Sequence, residues 1–183
     1  MRKILIPAAV AMALPLAACQ PSVDEVMAEY QASAAAETAR AEASRAAEAP
    51  KIIQAGKDFL AKTAEEPGVV TLPSGLMYKV LSSPNPKAPH PTVNDIVSVN
   101  YEGTLVDGTV FDSSYERGQP AQFPLNRVVQ AWQIGIPLMH KGDTIMLYVP
   151  SELGYGDKAT PDDRIPANSV LVFKVELLSI QGK

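Results

Sequence analysis

The amino-acid composition changes abruptly at Glu66-Pro67-Gly68, and this change divides the chain into two parts that must fold differently. Residues 22–66 are rich in Ala, Glu, Arg, Lys and Gln, which are good helix formers. Beyond them, short runs of alternating apolar and polar residues are separated by Gly and Pro, a pattern typical of strands. The sequence therefore predicts a helical arm followed by a β-rich domain.

The predicted arm carries a narrow apolar stripe. Val23, Met27, Tyr30 and Ala34 recur at spacings of four, three and four residues, which places them on one side of a helix. Pro50 is expected to interrupt the helix before the helical pattern restarts. An isolated helix with so thin an apolar face buries little surface. Two interpretations stay open: a solvated spacer, or a segment that pairs with a second copy to form a homodimer.

The first residues have the features of a secretory leader. Basic residues at positions 2 and 3 precede an apolar stretch, residues 4–16, which is shorter than the roughly 20 residues of a membrane span. It ends in Leu-Ala-Ala-Cys at residues 16–19, which resembles a bacterial lipobox, and Cys19 is the only cysteine. This pattern predicts a signal peptide over residues 1–18 and a lipid on Cys19. The alternative is an ordinary signal peptide cut near Ala18, with an incidental thiol at Cys19.

Charge limits the partners of the chain. The formal net charge is −4, and removal of Arg2 and Lys3 with the leader takes it to −6. Nucleic-acid binding requires clustered Lys and Arg, so nucleic acid is not expected as a partner. Membrane attachment is expected through the lipid on Cys19, because no basic patch is available to supply it. With one cysteine, no disulfide can form within the chain.

The second part, residues 67–183, reads as an α+β domain. Strands are predicted at residues 76–81, 96–101, 145–149 and 170–180, and Asp107-Gly108 is a strong two-residue hairpin turn. One short helix is predicted at residues 127–132. These elements predict an antiparallel sheet wrapped on one short helix. At about 115 residues, the domain is long enough to bury a core of its own.

Several motifs in this domain resemble one family in order and spacing. They are VNYEGTLVDGTVFDSS at residues 99–114, RGQP at 117–120, VVQAW at 128–132, GYG at 154–156, IPANS at 165–169 and LVFKVELL at 171–178. Together they closely resemble the FKBP-type peptidyl-prolyl cis-trans isomerases. Residues 59–62 and 68–80 look like the arm-to-domain junction of the bacterial Mip and FkpA group, whose N-terminal helical segment dimerises. The resemblance implies an antiparallel half-barrel around a short helix, preceded by the helical arm.

The resemblance also implies an aromatic pocket, with no cofactor and no metal. Carried over by position, catalytic roles fall on Tyr101, Phe111, Asp112 and Tyr155. The substrate-binding positions are Phe123, Val128, Val129, Trp132, Ile165, Phe173 and Arg117. In the family the backbone N–H at Val129 and the hydroxyl at Tyr155 bond substrate carbonyls, Trp132 forms the floor under the proline, and Arg117 bonds near Asp112. His90 and His140 show no spacing that indicates a site, and no role is assigned to them.

These residue types suit the isomerisation of a peptide bond. Rotation about the bond faces a barrier of about 18–20 kcal/mol from amide resonance, and X-Pro bonds interconvert over tens to hundreds of seconds. Catalysis needs no nucleophile; it needs a site that binds the twisted amide better than either planar form. An apolar aromatic pocket excludes water from the amide, and a few fixed polar groups meet the displaced carbonyl. Taken singly, each of these aromatic residues would be read as a simple core residue.

The sequence departs from the family at a few positions. Ala121 stands where many members carry an aromatic residue, Ala131 where Gly is common, and Gln130 where a basic residue or Pro is frequent. Three acidic residues occupy the loop at residues 157–164. These changes bear on X-Pro preference and on binding of macrolide inhibitors more than on activity.

Three functions are therefore weighed. The first is an isomerase that assists folding of proline-containing polypeptide clients in the bacterial envelope. It would be lipid-anchored with its domain in the periplasm, and Gln20 after the cysteine favours the outer membrane. The second is an FKBP-fold chaperone or scaffold with little isomerase activity, and the third is a tether that acts through its lipidated arm.

Overall fold

A computed structural model describes residues 22–182 of the chain. They form two compact units, residues 22–44 and residues 45–182. Cys19 and the proposed signal peptide lie outside the described residues. Among residues 22–182, no helix combines the length and the hydrophobicity that crossing a membrane requires.

Helix α1 spans Val23–Ala64 and contains Pro50, so the expected interruption at Pro50 is wrong. A proline inside a helix removes one hydrogen bond and costs about 3 kcal/mol. Tertiary packing offsets this cost, because Phe59 and Leu60 of the same helix pack on Met77, Tyr148 and Val172 of the sheet. The local sequence pattern around Pro50 did not indicate this packing.

The unit of residues 22–44 is helical throughout its described length. The apolar side chains of its first turns are exposed: Val23 is 79%, Val26 49%, Met27 50% and Tyr30 69% accessible. Arg45 begins the second unit, and its guanidinium donates to both carboxylate oxygens of Asp163, at 2.9 Å to Oδ1 and 2.8 Å to Oδ2.

The second unit is built on one antiparallel sheet of seven strands. They are β1 (Val69–Thr71), β2 (Met77–Ser82), β3 (Ile96–Leu105), β4 (Val110–Ser113), β5 (Ala121–Pro124), β6 (Thr144–Val149) and β7 (Leu171–Ile180). Their order is β1-β2-β6-β7-β3-β4, and β5 also pairs with β3. Helix α2 (Gln130–Gly135) is the short helix of the domain. The predicted α+β fold, an open antiparallel sheet with a short helix, is confirmed.

Most predicted elements are present, with shifted ends. The four predicted strands correspond to β2, β3, β6 and β7, and the Asp107-Gly108 turn joins β3 to β4 with a φ of +88° at Gly108. The short helix begins at Gln130 rather than residue 127, because a 3₁₀ turn, Leu125–Arg127, precedes it. Strands β1 and β5 were not predicted. They have three and four residues, too few for a clear alternation.

The sheet buries side chains on both faces along strands β6 and β7. On one face, α2 residues Ala131 and Trp132 join Leu147, Phe173 and Val175 in the main core. Because side chains alternate along a strand, the neighbours Tyr148 and Val172 point to the opposite face, where they meet the end of α1. This double coverage gives β6 and β7 a rigid setting, and the candidate site is built on that frame.

Candidate active site

An open cavity of about 360 Å³ lies between the sheet and helix α2. Its lining comes from β3, β4, β5, β7, α2, the 3₁₀ turn Leu125–Arg127, the two residues after that turn and the loop after residue 153: Tyr101, Phe111, Asp112, Phe123, Arg127, Val128, Val129, Trp132, Tyr155 and Phe173. Nine of these ten are sequence-predicted site residues. The fold thus brings together side chains that are up to 72 residues apart in the sequence.

Trp132 forms the floor of this cavity. It is 4% exposed, and three aromatic rings pack edge-to-face with it. The distances between ring centroids are 5.1 Å to Tyr101, 5.4 Å to Phe173 and 5.6 Å to Phe123. Edge-to-face pairs contribute about 0.5–1.5 kcal/mol beyond the apolar area that they bury. Phe111 joins the set through Phe173, at 5.6 Å. The result is a rigid apolar surface large enough for one small ring.

Gly103 makes this aromatic packing possible. It lies on β3 opposite Asp112 of β4 and Phe173 of β7. A Cβ at this position would lie 2.6 Å from the Phe111 ring and 2.9 Å from the Phe173 ring. Real Cβ atoms do not approach other heavy atoms so closely, so the two phenylalanines can adopt these positions only above a glycine.

A polar network borders the apolar floor. The Tyr101 hydroxyl donates to Oδ2 of Asp112, and the Arg117 guanidinium forms an ion pair with Oδ1 of the same carboxylate. Arg117 Nη2 also donates to the Tyr101 hydroxyl at 2.9 Å, and its Cζ lies 5.4 Å from the centre of the Tyr101 ring. Burial raises the pKa of Tyr101, and its hydrogen bond to Asp112 raises it further. Tyr101 is therefore a neutral donor at physiological pH.

Tyr155 supplies a second hydroxyl at the rim. It is 45% exposed, and its hydroxyl has no hydrogen-bond partner within residues 22–182. Partial burial raises the pKa of Tyr155, and the negative charges of Asp112 and Asp162 raise it further. The Tyr155 O–H thus stays protonated and available to an acceptor that enters the cavity.

Comparison with known proteins identifies this architecture. The pattern described as FKBP-type peptidyl-prolyl cis-trans isomerase matches residues 87–178, and the domain amino-terminal to such isomerases matches residues 8–80. The chain belongs to the FKBP-type peptidyl-prolyl cis-trans isomerase family. Its sequence-based recognition as a member with Mip and FkpA relatives is confirmed.

Two curated relatives and one solved structure illustrate the similarity. The chain is 49% identical to the peptidyl-prolyl cis-trans isomerase Mip of Coxiella burnetii over 68% of this chain and 53% of the relative. It is 40% identical to the outer membrane protein MIP of Legionella longbeachae over 69% and 53% of the two chains. The crystal structure of FkpA from Escherichia coli matches with a TM-score of 0.76 and 40% identity over 88% of this chain and 74% of that one. The chain spans about half the length of the curated relatives that it matches.

Two predicted site residues lie outside the wall of this FKBP cavity. Arg117 contacts the cavity only through Asp112 and Tyr101. Ile165 is 4% exposed and lines a neighbouring polar cavity of about 280 Å³, which shares Phe111, Asp112 and Tyr155 with the main one. Both residues support the wall from behind or beside it.

Arg127 is the cavity residue that the sequence did not indicate. It ends the 3₁₀ turn before Val128, and its side chain lines the cavity rim. Its position next to Val128 was the only available signal, and arginines in such turns are usually solvated.

The departures from the family pattern have clear positions. Ala121 pairs with Val99 in the sheet and packs against the core rather than lining the cavity. In the acidic loop, Asp162 pairs with Arg164 at 3.2 Å, and Asp163 with Arg45. Two of the three acids are therefore paired with arginines.

Proposed function

We propose that this chain is a peptidyl-prolyl cis-trans isomerase that accelerates rotation of X-Pro bonds in polypeptide clients. The observation that carries the proposal is the Trp132 floor with three aromatic edges around it, open to solvent on one side and bordered by two neutral tyrosine hydroxyls. A proline ring is the side chain whose size and shape match such a surface. Membership of the isomerase family, and relatives that carry the isomerase name, support the proposal.

The proposed mechanism follows from the cavity lining. The proline ring packs on Trp132 and the amide leaves water, which otherwise stabilises its planar, polarised form. As the bond twists, its carbonyl turns toward the cavity wall, where the Tyr155 hydroxyl and the backbone N–H of Val129 are the expected donors. Asp112 is held in place by Arg117 and Tyr101 and directs a fixed negative charge at the site. These residues act through their positions alone, and no covalent bond is made or broken.

The test is prolyl isomerisation of a short X-Pro peptide by the purified chain, with and without a macrolide inhibitor of this family. We expect acceleration that the inhibitor abolishes. Tyr155→Phe should reduce the rate, while the control Tyr115→Phe should leave it unchanged; both tyrosines are 45% exposed, but only Tyr155 lines the cavity. A folded chain without acceleration would favour the alternative, an FKBP-fold chaperone or scaffold that binds proline segments without isomerising them.

We also propose that residues 23–30 of the arm pair with a second copy of the chain. Val23, Val26, Met27 and Tyr30 are between 49% and 79% exposed, which is unusual for apolar side chains that recur on one helix face. Pairing of two such faces would bury them. Light scattering on the purified chain should report a dimer, and Met27→Glu with Tyr30→Glu should yield a monomer. An unchanged mass in that variant would refute the assignment of the surface.

We propose lipid attachment at Cys19, with the domain in the periplasm and the anchor in the outer membrane. The proposal rests on the lipobox-like sequence and on the name of the Legionella longbeachae relative, outer membrane protein MIP. Cys19→Ser should abolish incorporation of labelled fatty acid and release the protein from the membrane fraction. Retention of that variant in the membrane would argue for another mode of attachment.

A further inference from the structure

The two histidines of the chain lie next to each other, although 49 residues separate them in sequence. His90 lies in the loop between β2 and β3, and His140 follows the 3₁₀ turn Ile136–Leu138. Their ring centroids are 4.0 Å apart, with planes inclined by 42°. This pair lies outside the aromatic cavity and has no part in the proposed isomerisation.

Each imidazole is oriented by a hydrogen bond to its Nδ1 atom. His90 Nδ1 lies 3.0 Å from the carbonyl oxygen of Met139, and His140 Nδ1 lies 3.2 Å from Oδ2 of Asp143. A carbonyl and a carboxylate can only accept, so the proton of each ring resides on Nδ1. In the neutral form of each ring the lone pair is therefore on Nε2, which is the nitrogen left to bind a ligand.

The loops that carry the pair are fastened to each other and to the sheet. The backbone N–H of Lys141 donates to the carbonyl oxygen of Pro89 at 3.1 Å. The N–H of Gly142 donates to the carbonyl oxygen of Leu177 at 2.7 Å, and the N–H of Leu177 donates to that of Asp143 at 2.9 Å. The Asp143 side chain is 4% exposed, and its Oδ1 atom has no partner among residues 22–182. A buried carboxylate with a free oxygen is stabilised by positive charge nearby, such as that of an ion bound to the adjoining imidazole.

From this geometry we propose that His90 and His140 form a binding site for a divalent late transition metal ion such as Zn²⁺ or Cu²⁺. Imidazole is a preferred ligand of these ions, and metal-binding histidines commonly donate their other ring N–H to a carboxylate or a backbone carbonyl. With ring centres 4.0 Å apart, both imidazoles lie within reach of one ion, to which each nitrogen would bond at about 2.0–2.1 Å.

The site is open rather than structural. Within residues 22–182 no cluster of three or more His, Cys, Asp or Glu side chains is arranged to hold a metal, so two protein ligands bind the ion and solvent completes its coordination. His90 is exposed and His140 half-buried, which leaves the remaining positions accessible. Such a site binds exchangeably, and the ion would tie the loop between β2 and β3 to the loop before β6.

Calorimetric titration of Zn²⁺ into the full chain, purified without a histidine tag, tests the proposal. We expect one ion per chain, loss of binding in both His90→Ala and His140→Ala, and about 10–100-fold weaker binding in Asp143→Asn, which alters the group behind His140. Lys87→Ala, in the same loop as His90, is the matched control and should bind as the wild type does. Circular dichroism of each variant checks that the fold is kept. Cys19 is present in the wild type and in every variant, so it cannot cause a difference in binding between them.

Paramagnetic broadening by Cu²⁺ gives an independent readout. Amide resonances of Ala88, His90, Thr92 and residues 139–143 should broaden first in the wild type, and the resonances at these positions should stay sharp in the double variant His90→Ala/His140→Ala. Equal Zn²⁺ binding by the wild type and the double variant would overturn the proposal, as would the absence of binding. Loss of binding in only one of the two single variants would also overturn it, because the site requires both rings.

Discussion

The hydroxyl of Tyr101 and the guanidinium of Arg117 meet at one hydrogen bond of 2.9 Å, and both also bond the carboxylate of Asp112. The three side chains come from β3, β4 and the loop after β4. Because Arg117 and Tyr101 occupy both oxygens of Asp112, the carboxylate is held at the cavity edge in one orientation. This arrangement places a fixed charge beside an otherwise apolar floor.

The first prediction concerns this network. Asp112→Ala should lower kcat/KM for an X-Pro peptide by about 10–100-fold, because hydrogen bonds to a charged group contribute about 1.5–3 kcal/mol. Arg117→Ala should have a smaller effect in the same direction, since it acts through Asp112. Protease-coupled or NMR exchange assays measure both rates. Wild-type kcat/KM in both variants would show that the network has no part in turnover.

The second prediction concerns Gly103. Gly103→Ala should cost about 1–3 kcal/mol of unfolding free energy through overpacking and should reduce turnover, because its Cβ would displace Phe111 and Phe173. Gly56→Ala is the matched control. A Cβ at Gly56 would lie at a similar distance, 2.8 Å, from Val170, and neither of these residues lines the cavity. Urea unfolding and turnover measured on both variants separate the effects, and equal loss of turnover in the two would refute a local role for Gly103.

The third prediction uses Trp132, the only tryptophan of the chain. Since its ring is the cavity floor and is 4% exposed, a bound proline peptide or macrolide should change the intrinsic fluorescence in a saturable manner. The midpoint of that change should equal the inhibition constant of the same macrolide. Phe123→Ala, which removes one of the three edges around Trp132, should weaken binding without abolishing the signal. If the fluorescence did not change when the inhibitor bound, the ligand would have to bind away from Trp132.

The fourth prediction concerns pH. The pKa values of Tyr101 and Tyr155 are raised above the ordinary tyrosine value of 10.0, so both hydroxyls remain donors at neutral and mildly alkaline pH. Turnover should be flat from about pH 6 to 9 and fall above about pH 10. The folded state also holds these protons more tightly than the unfolded state, so the contribution of the two tyrosines to stability should be constant below pH 10 and decline above it. Chemical unfolding at several pH values measures this decline, and stability that rises above pH 10 would contradict it.

Much of the fold was predictable because its signals are local. The alternation in β3 and β7 and the Asp107-Gly108 turn each lie within ten or so neighbouring residues, and all are present as predicted. The lining of the cavity was predictable for a different reason: the FKBP motifs preserve order and spacing, and nine of the eleven residues predicted for the site line one cavity. Taken alone, each of these aromatic residues would have been read as core.

The remaining features depend on contacts between distant parts of the chain. Periodicity and motif spacing, which operate over a few residues, established the helical arm, the α+β domain and most of the aromatic lining. The continuity of α1 through Pro50, the Arg45–Asp163 ion pair, the edge-to-face order around Trp132 and the meeting of His90 with His140 all followed from folding. Each joins groups whose distance is set by strand register and loop path, and no local pattern encodes those quantities.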